Sequence, residues 1–463
     1  MWEAESILSS EDLPELSSLG GDYWEAYASV GLSRSVLWDN GRLEEVESGF
    51  GGGIGLRVLK DGVTYMGCVS GLGREAASRA LSALRGAVLG GDPGVRFEPM
   101  DMEEKGAGAK FPELEVDVEL LRELDGFVRK GSSRVLQVSL RFSSGFKSFR
   151  VLGSLNNCCS SSKVQSSFTV QVVVGRDGVV QTASERVAFS LPPGKFWLKF
   201  DPFETCEAAL KRALSLLEAS PPPAGPMPVV LSGKAGGTMI HEACGHGLEA
   251  DIVKKDFSVY RDKLGEEVAS PLVTLVDDGS IPELYGSSLY DDEGFPTGKT
   301  VLIEEGVLKS YLSDVYSHLY WGFPITGNGR RASYSDVPIP RMTNTYLSPG
   351  SSEPEEIVSS VEKGLYVALL GGGEVNPTTG DFVFHAEEAY LIEGGKVGRM
   401  VRGAILAGNG PKVLRAVRMV GNDLRFVPGV CGKDGQGVPV TDGQPTLLVD
   451  GIVVGGSVDR EQV

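Results

Sequence analysis

Histidine is scarce in this chain, four residues in 463, so any site built on imidazole must draw on very few positions. No run of 18 apolar residues occurs, which excludes a membrane-spanning helix by length. Basic residues fall short of acidic ones, 44 against 62, for a net charge of −18. No basic stripe with interleaved aromatics is present, so nucleic acid, which demands cationic contacts to its backbone, is a poor partner. The six cysteines form no Cys-x-x-Cys pair and are too sparse for a disulfide framework. The first residues, Met1 to Ser6, lack the basic-then-apolar order of a secretory signal. Together these absences lead to the expectation of a cytoplasmic protein with reduced thiols and no membrane partner, whose acidic balance serves solubility.

Glycine, by contrast, is plentiful, 62 residues, and favours turns and strands over a helical bundle. The length allows two or three domains. Turn signals at Asn40-Gly41, Asp61-Gly62 and Asp177-Gly178 lie between strand-like runs and read as hairpins. Helical spacing of apolar residues marks 74–88, a segment after Pro112 (Val116, Leu120, Leu121, Leu124, Val128), and 201–219, whose stripe includes Cys206 as a core residue. Pro221-Pro222-Pro223 stops any helix, and the domain boundary is placed there: an N-terminal domain over 1–222 and a C-terminal one over 226–463. Beyond it come an apolar strand at 229–231 and strand and turn signals around Gly306, Gly394-Gly395 and Asp450-Gly451. The expected fold class is α+β. Antiparallel strands with packed helices come first, then a mostly antiparallel-β domain carrying a distorted active-site helix. No fixed-period repeat is visible.

Two of the four histidines fall within six positions, in His241-Glu242-Ala-Cys-Gly-His246. Two imidazoles can ligate a divalent ion, and the carboxylate between them can take a proton from water. Their spacing is five rather than the four of the familiar helical zinc motif. At about 100° per residue an ideal α-helix would set the two side chains roughly 140° apart, too divergent for one ion. Either a π-type widening aligns them or the helix breaks near Gly245. From spacing alone a metal site and an ordinary pair of packed histidines stand level. A third donor is needed, and Cys431 is the candidate because it lies in a glycine-dense loop over 430–445 able to present a thiolate. The alternative is a buried thiol. Cys244, inside the motif, is read as filler.

The stretch Ser232-Gly-Lys-Ala-Gly-Gly-Thr-Met-Ile-His241-Glu242-Ala-Cys-Gly-His246-Gly-Leu-Glu249-Ala-Asp251 closely resembles the signature of the TldD/PmbA metallopeptidases, in their metal-bearing TldD branch. Further blocks resemble that family in the same order: Gly327-Asn-Gly-Arg-Arg331, Pro338 to Tyr346, Gly371 to Phe382, Gly408-Asn-Gly-Pro411 and Cys431 to Gln436. The resemblance covers 226–463 and, more loosely, the first half. It implies one zinc ion per chain held by His241, His246 and Cys431, with Glu242 as general base and then acid in hydrolysis of unstructured peptides. It also implies a dimer, either of identical chains or with a related metal-free subunit. The rival reading is a catalytically silent subunit or scaffold of a TldD/TldE-like complex. Ala250 and His385 depart from the family pattern. His385 is expected to be structural, with a substrate contact as the alternative, and His318 a packed or hydrogen-bonded core residue. Arg330, Arg331 and Arg341 either hold a peptide carboxylate or form structural ion pairs. The glycine-rich 371–374 segment either accepts an extended peptide as an added strand or is a plain turn.

Overall fold

The computed structural model describes residues 16–98 and 114–456; Met1 to Ser6 and Pro112 lie outside them. The first half is one seven-stranded sheet built from β1 (Tyr23–Asp39), β2 (Arg42–Lys60), β3 (Val63–Ser70), β4 (Gly94–Glu98), β5 (Val135–Gly153), β6 (Cys158–Arg176) and β7 (Val179–Phe189). Their order is β4-β3-β2-β1-β5-β6-β7, antiparallel throughout except β3 with β4. The three expected hairpins are there. Both residues of each turn have positive φ, for example 50° at Asn40 and 87° at Gly41, the twist that matches two right-handed strands. The parallel β3–β4 pair needs a crossover, and α1 (Arg74–Gly90) supplies it.

The helices of the first half pack on one face of this sheet. Alternate residues Val138, Leu140 and Phe142 of β5 and Phe168, Val170 and Val172 of β6 point at α2 (Val118–Gly131) and at Pro202–Glu218, forming a closed core that includes Cys206. Asp117 and Asp201 cap the two helices, accepting from Leu120 N at 2.9 Å and Phe203 N at 2.8 Å. The opposite face carries Tyr27, Phe149 and Val151 and, further along β1, the smaller Ser29, Gly31 and Ser33; Tyr334 from the second half lies close over Gly53 and Gly55. Beside it the halves are joined by a buried ion network. Arg57 binds Glu25 at 3.0 Å and also Glu293, and Arg331 binds Glu25. Arg331 is thus a structural ion-pair partner between the halves.

In the second half, strands Gly225–Leu231, Leu447–Gly456, Ala404–Asn409, Asp381–Glu393 and Lys363–Val375 pair in a ring, which the pairing of the last with the first closes. A six-stranded sheet lies beside it, running from Val307–Leu308 through Lys299–Glu304, Leu275–Asp278, Asn344–Leu347 and Gln436–Gln444 to Arg425–Lys433. Antiparallel pairs dominate; the parallel ones are Asn344–Leu347 with Gln436–Gln444 and Lys363–Val375 with Gly225–Leu231. The segment 238–248 is wedged between the two sheets. Met239, Ile240, Ala243, Cys244 and Leu248 share one core with both, each large apolar side chain contributing about 1.5–3 kcal/mol.

Two sequence expectations need correction. Asp450-Gly451 is not a hairpin turn: Leu447–Gly456 is one strand whose register shifts between Val449 and Ile452, with Gly451 at φ 73°. A positive-φ glycine suits a bulge as well as a turn. The supposed loop over 430–445 is likewise a hairpin, in which Arg425–Lys433 pairs with Gln436–Gln444 about a turn at Asp434-Gly435. Gly435 takes the turn's positive φ, Gly432 and Gly437 pair with each other in the strands with no close neighbour, and Gly443 is crowded. A Cβ on Gly443 would stand 2.7 Å from Tyr346 Cβ.

Candidate metal centre

The chain enters the site through a sharp turn. Ser232 Oγ accepts from Ala235 N at 3.2 Å and donates to Ala368 O at 2.9 Å, and Gly236 and Gly237 both take positive φ. A helical turn over Thr238–Ile240 then widens into a π turn over His241–Gly245, where the His246 N–H reaches the carbonyl of His241. An i to i+5 hydrogen bond sets residues five apart above one another. Of the two distortions open to the sequence, the widening is the one adopted. Gly245 is helical, with φ −54° and ψ −56°, and the chain leaves the helix only at extended Glu249. Proximity bears on glycine at 245 instead: a Cβ there would lie 2.2 Å from Met342 Sδ, so the end of that buried side chain, or the turn, would have to shift.

The π turn brings both imidazoles to Cys431. His241 Nε2 and His246 Nε2 each stand 3.3 Å from Cys431 Sγ, and the rings are nearly perpendicular with centroids 5.0 Å apart. The three donor atoms lie within 4.8 Å of one another. A tetrahedral zinc with usual bond lengths would separate nitrogen and sulfur ligands by about 3.5 Å, so the donor set fits such an ion in both chemistry and spacing. The other ring nitrogens are committed: His241 Nδ1 to Asp442 Oδ1 at 2.7 Å, and His246 Nδ1 to Glu249 Oε2 at 2.9 Å. A carboxylate at Nδ1 fixes each tautomer and turns Nε2 towards the ion. Asp442 escaped the sequence reading. Ligating histidines usually have a carboxylate partner, but nothing in Thr441-Asp442-Gly443 singles out this one.

Charge is arranged to match. Burial disfavours the Cys431 thiolate, but hydrogen bonds from both imidazoles outweigh it and hold the thiol at about 5. Burial likewise opposes imidazolium at His246, yet Glu249 and Cys431 raise it to about 9; His241 is raised through Asp442. Arg341, fully buried, donates to Cys431 O at 2.6 Å and Gln436 O at 3.1 Å, across the two strands of the hairpin. Arg330 donates to Met342 O and Pro439 O. Both arginines hold backbone carbonyls.

Glu242 projects from the π turn with no hydrogen bond among the described residues. Burial raises its carboxyl above the usual range, and the two histidines partly offset this. Nearby, a cleft of about 950 Å³ is lined by Thr238, Pro428, Gly429, Gly371 and Gly372. Gly371 and Gly372 stand opposite no residue of Asp381–Glu393, because the register shifts between Leu370 and Gly373. A second cavity, about 820 Å³, lies over the first sheet beside Gly31, Ser33 and Tyr334; His241, Glu242, His246 and Cys431 line neither it nor the cleft. Cys244 is buried, its thiol on Ile240 O. His318 is hydrogen-bonded, its Nδ1 2.8 Å from Phe323 O, but it is exposed rather than core: its short helix Val315–Trp321 turns that side to solvent. His385 is exposed on its strand between buried Phe384 and half-buried Ala386.

Comparison with known proteins follows the same lines. Residues 224–456 match the family model described as PmbA/TldA metallopeptidase C-terminal domain, and 24–87 match PmbA/TldA metallopeptidase domain 1. A Haemophilus influenzae protein named metalloprotease TldD homolog is 34% identical, over 94% of this chain and 93% of its own length. A Saccharolobus solfataricus protein named zinc metalloprotease TldD homolog is 32% identical, over 63% of this chain and 65% of its own. Among solved structures, TldE from Thermococcus kodakarensis superposes with a TM-score of 0.76 at 20% identity, covering 95% of this chain and 98% of that one.

Proposed function

We propose, from the premise that this chain belongs to the PmbA/TldD metallopeptidase family, that it is a zinc-dependent peptidase acting on unstructured peptides. The observation that carries the reading is the convergence of His241 Nε2, His246 Nε2 and Cys431 Sγ beside a carboxylate with no other partner. Three protein donors leave a tetrahedral ion one open position, the pattern of a catalytic rather than a structural site. Zinc bound there supplies Lewis acidity, lowering the pKa of water and stabilising charge that develops on a carbonyl oxygen. Glu242 takes the proton of the attacking water and returns it to the leaving amine, and its raised carboxyl suits a group that both accepts and donates. Asp442 and Glu249 keep the imidazoles oriented while this happens.

The cleft supports the choice of an extended, flexible substrate. Beyond Val367 the strand Lys363–Val375 parts from Gly225–Leu231, which leaves its edge at 368–372 lining the cleft. A peptide can add there by main-chain hydrogen bonds, which tolerate many sequences. A dimer, with a second copy or with a metal-free relative, goes with this reading, supported by the likeness in fold to a protein named TldE. Six free thiols fit a cytoplasmic setting. Among the described residues no helix is long and apolar enough to cross a membrane. Against the silent-subunit alternative stand the three donors and Glu242, all present.

The test is bound zinc and cleavage of an unstructured peptide in wild type and Glu242→Gln. Zinc is expected in both and hydrolysis only in wild type. Cleavage retained by Glu242→Gln would remove the assigned base, and no zinc in wild type would remove the reading itself.

A further inference from the structure

Lys433 lies two residues beyond Cys431 on the same strand, so the two side chains leave the same face. Its ammonium is almost wholly buried and uses all three of its donors: Glu249 Oε2 at 2.9 Å, Asp251 Oδ1 at 2.7 Å and Pro340 O at 3.0 Å. Glu249 Oε2 is also the atom that holds His246 Nδ1. One carboxylate oxygen therefore ties the imidazole of one candidate ligand to the strand that delivers another. Pro340, the third partner, immediately precedes Arg341, which grips Cys431 from its backbone side. The hairpin is held at two points, through the Cys431 carbonyl and through the Lys433 side chain.

We propose that Lys433 is a positioning residue that preassembles the metal centre, fixing Cys431 relative to His246 before any ion arrives. The inference rests on the zinc reading above and deepens it. Ordering of the ligands is then supplied by folding rather than by the metal, which is how outer partners raise metal affinity. The acceptor capacity around the ammonium bears this out. Glu249 Oε1 and Asp251 Oδ2 are buried without a hydrogen bond, and the other cation within reach, Lys255, stands 3.9 Å from Asp251 Oδ2 on a half-exposed side chain, so Lys433 alone bridges both carboxylates. Removing the lysine leaves two buried carboxylates facing each other and frees the end of the hairpin.

The test is titration of the metal-free protein with Co²⁺, followed by absorption, since a cysteine thiolate gives a ligand-to-cobalt charge-transfer band. Two variants are compared with wild type: Lys433→Met, and Lys433→Met with Asp251→Asn, which keeps the cluster at the same net charge and guards against misfolding of the first. Both are expected to bind Co²⁺ about 10–100-fold more weakly, with the thiolate band reduced, while the double variant melts near wild type in the metal-free state. A folded variant that binds Co²⁺ with wild-type affinity and an undiminished band would overturn the inference. Loss of affinity that follows loss of metal-free stability, with the thiolate band intact, would overturn it too, since that is the mark of a merely structural lysine. Failure of wild type to bind Co²⁺ would instead sink the zinc reading.

Discussion

Gly245→Ala puts the π turn itself to the test. The backbone at 245 is helical, and alanine is favoured over glycine in a helix by about 1 kcal/mol, so on local grounds the change should stabilise. Against it, the new methyl would stand 2.2 Å from Met342 Sδ and 2.9 Å from Met342 Cε, well inside contact distance. Met342 is fully buried in the core shared by the two sheets of the second half, and overpacking of this kind costs about 1–3 kcal/mol. The overlap should win, for a net loss of about 1 kcal/mol. It can be relieved by moving Met342 or by shifting the turn, and the latter displaces His246, the adjacent residue. The expected result is a modestly lower melting temperature for metal-free protein together with a larger loss of zinc affinity, about tenfold, equivalent to about 1.4 kcal/mol. Differential scanning calorimetry and a competitive chelator assay read the two. Adding Met342→Ala makes a double-mutant cycle in which the combined loss should be smaller than the sum. Strict additivity, or a Gly245→Ala protein that is more stable and binds zinc normally, would refute the argument that proximity dictates this glycine.

Asp442→Asn keeps the shape of the side chain but removes the charge that orients His241; zinc affinity should fall about 10–100-fold in the same chelator assay, and an unchanged affinity would deny Asp442 its role. Metal uptake should strengthen as pH rises from 7 towards 9. His246, held at about 9 in the metal-free protein, carries a proton that must leave before it can ligate; below that value binding releases the proton and is weakened by its competition. Calorimetry in buffers of different ionisation enthalpy counts the protons released, and none at pH 7 would contradict the assignment. Gly372→Pro, at a cleft-lining position outside the strand register, should impair peptide cleavage while bound zinc stays at the wild-type level; undiminished cleavage would argue against strand addition there.

Much of the fold was legible because its signals are local. Turn pairs such as Asp61-Gly62 need only the two residues that adopt positive φ, and the apolar stripes of α1 and α2 need only their own spacing. The glycine-dense segment around Cys431 misled for the same reason. Glycine at 443 marks close approach by Tyr346, nearly a hundred residues away in sequence, and no local rule tells that from a flexible loop. The exposure of His318 and His385 followed a similar course, since a short helix or a strand offers two faces and only the packing selects one.

The sequence by itself determined the composition of the candidate centre. His241, Glu242 and His246 lie within six residues, their five-residue spacing rules out a regular helix, and the ordered blocks through Cys431 place the chain among its relatives. The tertiary structure alone decided the rest. It settled which distortion reconciles the histidines, a π turn closed by the His246 N–H on the His241 carbonyl, because the choice between widening and breaking depends on what packs around the turn. It brought Asp442 and Lys433, 201 and 184 positions from their partners in the chain, to hydrogen-bond distance of the motif. It also turned three arginines of open purpose into buried supports. Ligand identity is a property of residue types at a spacing, whereas orientation, charge balance and support arise from contacts between distant segments, which form only when the two sheets close around the turn.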